Sequence, residues 1–197
     1  MKRIVTGLAL FFLALPHAAA AKVTAETVPL YGRTLSFTLP GDMQRANDKD
    51  NGTNRLIEYV PKGETVANWT RLVTIQAYRG LGTSPQPTAQ IARQAFYPAA
   101  CKVGLIYQDN GEKPFAGGLK RSLVINGCAS LPPGAYPKAL AGAGEQDFIL
   151  IFRDNDTIYT LNYAVRGKPF AGKAPPIALA SGETLLRDVF GEIRLEP

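Results

Sequence analysis

Four carboxylates can face one another across a sheet: Glu58, Glu64, Glu145 and Asp147. Paired acids of this kind hydrolyse glycosidic bonds when one is held protonated and the other ionised. Solvated or salt-bridged acids are the commoner outcome, so both readings stand. Most other routes to hydrolysis are closed. His17 is the one histidine in the chain, and its place near the N-terminus leaves the body without a Ser-His-Asp or Cys-His arrangement or histidine-bound zinc. No serine begins Ser-x-x-Lys, and Gly-x-Ser-x-Gly does not occur. Asp48-Lys49-Asp50-Asn51-Gly52 imitates a calcium loop, but Gly52 falls at the fifth loop position instead of the sixth and Glu58 at the eleventh instead of the twelfth. An Asx-rich turn is expected there, and no metal site. Gly142-Ala143-Gly144 lacks the third glycine and the strand-to-helix setting of a dinucleotide fingerprint, so no cofactor is expected.

The elements that must position these groups begin after an export signal. Lys2 and Arg3 precede the apolar run Ile4 to Leu15, then Pro16 and an alanine-rich end at Ala18 to Ala21, the pattern of a secretory signal peptide over residues 1–21. Its removal leaves residues 22–197 as one domain with 20 basic and 16 acidic side chains, a net charge of +4. That size supports a single hydrophobic core. The expected location is periplasmic or secreted, with no transmembrane segment in the mature protein. Cys101 and Cys128, the only cysteines, would then meet an oxidising compartment, so a disulfide is expected. The basic residues are spread along the chain, with Lys120-Arg121 adjacent and Arg166, Lys168 and Lys173 the densest group. Nucleic acid is not an expected partner; an anionic envelope polymer or another exported protein is.

Alternation of Leu35, Phe37 and Leu39 with Thr34, Ser36 and Thr38 reads as a half-buried strand. Runs 55–60, 71–78, 102–107 and 119–125 read as further strands, and 148–152 with 157–165 as a hairpin across Asp154-Asn155-Asp156. Asn47 to Asn54 reads as a turn-rich loop. Pro87 and Pro98 bracket one expected helix. Ser181 opens a second, with Leu185, Leu186, Val189, Phe190 and Ile193 along one side. The fold class expected is α+β, an antiparallel β-sheet with two helices packed on one face. Segments 131–145 and 167–181 lack periodicity and read as long loops. Lys113-Pro114-Phe115-Ala116-Gly117 recurs as Lys168-Pro169-Phe170-Ala171-Gly172, either two equivalent turns or a coincidence of turn-prone composition.

The segment from Tyr59 to Gln76, with Pro61-Lys62-Gly63-Glu64 and Asn68-Trp69-Thr70, resembles a strand–turn–strand recurring in small, uncharacterised exported proteins of Gram-negative bacteria. The resemblance implies a setting and no activity. Trp69 can cap the edge of the core or offer a stacking platform, and with Glu64 and Asn68 it forms a candidate binding group. The function expected is an exported, non-enzymatic binding or accessory domain of the cell envelope. The alternatives are a histidine-free, carboxylate-dependent hydrolase of envelope polysaccharide and an inhibitor or chaperone-like partner of another exported protein.

Overall fold

The computed structural model describes residues 22–88, 90–91, 101, 104–132, 142–170 and 175–197. The expected signal segment and most of the expected helix between Pro87 and Pro98 lie outside them; only its first turn, where the amides of Gln90 and Ile91 donate to Pro87 O, is described. The described chain is mainly β, which corrects the α+β expectation of two helices on one sheet. Eleven strands form two antiparallel sheets, and one α-helix, α1 (Gly182–Phe190), is described. The smaller sheet has the order β1 (Val23–Leu30), β2 (Arg33–Pro40), β11 (Arg194–Glu196). The larger runs β3 (Met43–Asp50), β4 (Asn54–Pro61), β5 (Arg71–Arg79), β10 (Thr157–Gly167), β9 (Gly144–Arg153), β8 (Lys120–Cys128), β6 (Leu105–Asp109), with the short β7 (Lys113–Pro114) also on β8.

The small sheet and α1 together cover one face of the large sheet, the front face. Leu35, Phe37 and Leu39 of β2 supply the inward half of their alternation. They meet Ile75 of β5, Leu161 of β10 and Phe148 of β9 in one buried cluster. Phe190 of α1 is fully buried and makes edge-to-face contacts with Phe37 at 5.6 Å and Tyr163 at 6.0 Å, fastening helix and both sheets together. Ser181 makes no capping hydrogen bond to the helix.

β3 forms an outer edge of the large sheet. Its register against β4 shifts between Arg45 and Asn47, and most of its side chains are exposed. The expected loop from Asn47 is therefore half strand: with no apolar period of its own, β3 is held by pairing to β4. The turn signals themselves hold. Asn51 Oδ1 accepts the amides of Thr53 and Asn54, and Asp154 Oδ1 accepts those of Asp156 and Thr157 in the β9–β10 hairpin.

Cys101 and Cys128 stand at disulfide-bonding distance, their Cα atoms 5.7 Å apart. A bridge across 27 residues stabilises the fold by about 3 kcal/mol in the chain-entropy account. Cys101→Ala/Cys128→Ala is accordingly expected to lower the unfolding free energy measured in urea by that amount relative to the oxidised protein, with a lower midpoint that matches the reduced protein. Equal midpoints for oxidised and reduced chains would show that the bridge contributes nothing.

Candidate functional site

The back face of the large sheet carries an uncommon load of buried polar groups. Thr74 on β5, Thr160 and Asn162 on β10, Glu145 and Asp147 on β9, and Ser122 and Asn126 on β8 are all buried. Antiparallel register puts them in rows: Asp147 lies between Asn126 and Ala164, and Asn162 between Thr74 and Ile149. Asn162 Nδ2 donates to Asp147 Oδ1 at 3.1 Å. Among the described residues, both amide atoms of Asn126, Asn162 Oδ1, Thr160 Oγ1 and Ser122 Oγ find no hydrogen-bond partner. Burial pushes the Asp147 carboxyl up to about 8, helped by the neighbouring charge of Glu145 and opposed by the Asn162 hydrogen bond and Arg166. Asp147 is thus a neutral acid at neutral pH.

One row further along, β9 and β10 pair Glu145 with Arg166. Arg166 Nε donates to Glu145 Oε2 at 2.7 Å and Nη2 donates to the same oxygen. Burial raises the Glu145 carboxyl, and Arg166 pulls it back down. The other side of the guanidinium lies on Trp69, 3.6 Å from the ring centroid. The turn before β5 is built to hold that ring in place. Glu64 accepts the Thr70 amide at 2.6 Å and the Thr70 hydroxyl at 2.8 Å, and Thr65 and Asn68 form a backbone bridge. Trp69 is only 6% exposed and packs with Val60 and Ala164, so it is not a surface stacking platform. The hydrogen-bonding capacity of Glu64 and the backbone of Asn68 are used inside the turn.

Of the four carboxylates singled out from the sequence, the structure brings Glu145 and Asp147 together, two residues apart on one face of β9. Glu58 accepts a hydrogen bond from Asn47 across β3 and β4 at 2.7 Å, and Glu64 serves the turn. Among the described residues, no three acid, cysteine or histidine side chains gather closely enough to hold a metal ion.

Two cavities flank the ends of β9. At its start, Gly144 is the cross-strand partner of Gly167, the end of β10. Two facing glycines leave the end of the hairpin without side chains. The ring of Phe170 fills the place above Gly144, where a Cβ would stand 2.8 Å from the ring. Nothing lies within 4 Å of a Cβ added at Gly167. The result is a largely apolar cavity of about 340 Å³ walled by Val165, Pro169, Phe170 and Pro176, with Glu145, Gln146 and Lys168 among its lining. Gln146 fixes the far wall by exchanging hydrogen bonds with the backbone of Ile177 at 2.8 and 3.2 Å. At the other end of β9, a cavity of about 220 Å³ lies between α1 and Leu150 and Phe152, with Phe115 in its wall. The described parts of the two Lys-Pro-Phe-Ala-Gly copies therefore each place a phenylalanine in one of these cavities.

No protein-family model matches the chain, and no curated protein matches its sequence. Among the described residues no helix is long and apolar enough to cross a membrane.

Proposed function

We propose that the protein is an exported, non-enzymatic binding domain of the cell envelope that takes a small, mainly apolar ligand in the cavity at the Gly144–Gly167 end of β9 and β10. The observation carrying this reading is the cavity itself, which has the size and apolar lining of small-molecule sites and a few polar groups at its margin. The charged start and apolar run of residues 1–15, the cysteine pair and the resemblance of segment 59–76 support export. The hydrolase alternative would use Glu145 and Asp147. Both are buried, and Glu145 is held by Arg166, whereas a glycosidase needs its two acids on either side of an accessible bond.

The test uses a fluorescent apolar probe, 1-anilinonaphthalene-8-sulfonate, with the native chain and with Gly167→Leu. Gly167 has no positive φ and open space at its Cβ, so leucine enters the cavity without backbone strain. Saturable binding by the native chain, weakened at least tenfold in a Gly167→Leu chain of unchanged melting temperature, is the expected result. Equal binding by the two chains would remove the cavity as the site.

A further inference from the structure

The groups around this cavity differ sharply in what they have left to offer a ligand. Glu145 has its charge matched by two guanidinium nitrogens of Arg166. Gln146 has its amide oxygen and nitrogen occupied by Ile177. Val165, Pro169, Phe170 and Pro176 offer only apolar surface. Lys168 remains: exposed at the rim and without a carboxylate partner among the described residues.

Resting on the cavity reading above, we infer that the ligand is a single-headed anionic amphiphile, with its apolar body against Phe170 and Val165 and its acid group at the Lys168 ammonium. Charge complementarity selects the head. A second anionic group would face the Glu145 side of the cavity, where no unmatched cation is described, and a cationic head would meet Lys168 directly. Size bounds the body: about 340 Å³ holds roughly eleven water-sized groups, the bulk of a ten-carbon chain. The exposed charge contributes selectivity in the way surface ion pairs do, modestly and with strong dependence on salt.

Isothermal titration at low ionic strength, below micelle formation, with decanoate, decanol and decyltrimethylammonium separates the two claims. The native chain is expected to bind decanoate about tenfold more tightly than decyltrimethylammonium, with the margin shrinking in added salt. Lys168→Gln should weaken decanoate about three- to fivefold, and Lys168→Glu should invert the preference between the charged heads. All three ligands should fail with Gly167→Leu. Binding that Gly167→Leu abolishes but that ignores the head charge and the Lys168 variants would overturn the anionic assignment and leave the cavity reading intact. Binding untouched by Gly167→Leu, or no binding of any of the three, would overturn both.

Discussion

Replacing Asp147 by asparagine is expected to flatten most of the pH dependence of stability and to make the protein markedly more stable at pH 8. The folded state holds the Asp147 proton up to about pH 8, chiefly because burial penalises the anion, whereas an unfolded aspartate loses it near 4. A folded-state pKa above the unfolded value means that unfolding releases a proton. The associated stability is therefore fully present below pH 4 and is lost as pH rises to about 8. At about 1.4 kcal/mol per pH unit, the loss across that window is on the order of 5 kcal/mol. Asparagine stays neutral throughout and keeps an oxygen to accept from Asn162 Nδ2. Glu145, also raised by burial, adds a dependence of the same sign in both proteins. Urea unfolding at pH 5 and pH 8 checks this: the native chain should lose about 4 kcal/mol between the two and Asp147→Asn only a fraction. Parallel losses would show that Asp147 ionises in the folded state as an ordinary surface acid does.

The second large effect concerns the neighbouring ion pair. Arg166→Met keeps an alkyl stem against Trp69 but leaves the Glu145 carboxylate buried with nothing to compensate it, at an expected cost of about 3–5 kcal/mol. Adding Glu145→Gln removes the orphaned charge and should restore at least about 2 kcal/mol, since a buried ion pair as a whole contributes little over a neutral replacement. Chemical denaturation of both variants at pH 7 decides the point. If the double variant is no more stable than the single one, the loss comes from packing on Trp69 and not from the buried charge.

The parts of the fold legible in the sequence are those in which apolar residues recur at every second position. β2, β5 and β10 announce themselves by alternation, and the β9–β10 turn by Asp154-Asn155-Asp156. β3 was hidden because it is polar almost throughout and owes its conformation to β4. The start of β9 was hidden for the opposite reason. Gly144-Glu145-Gln146-Asp147 looks like the end of a loop, yet it is buried strand on both faces. Among the described residues, β1, β3, β7 and β11 carry no clear strand signal, and without them a mainly β architecture reads as an α+β one. At the site, Glu145 and Asp147 could be singled out by type. Arg166, Asn162 and Asn126 could not, because each reaches them through cross-strand register and not through spacing along the chain. The cavity left a fainter trace in the glycines at the ends of two strands and the repeated Lys-Pro-Phe-Ala-Gly.

The polar strand at the margin of the large sheet also governs how copies of this protein behave in a crowd. An unprotected outer strand is a template on which another chain can polymerise through its main-chain amides and carbonyls. Here Arg45, Asp48, Lys49 and Asp50 line that margin, and the slipped register after Arg45 interrupts the regular spacing that an incoming strand would have to match. Arg55 on the next strand binds both Asp48 and Asp50, fixing the charges in position. The same lack of apolar pattern that hides β3 from a sequence reading is what closes this edge to fibrous growth.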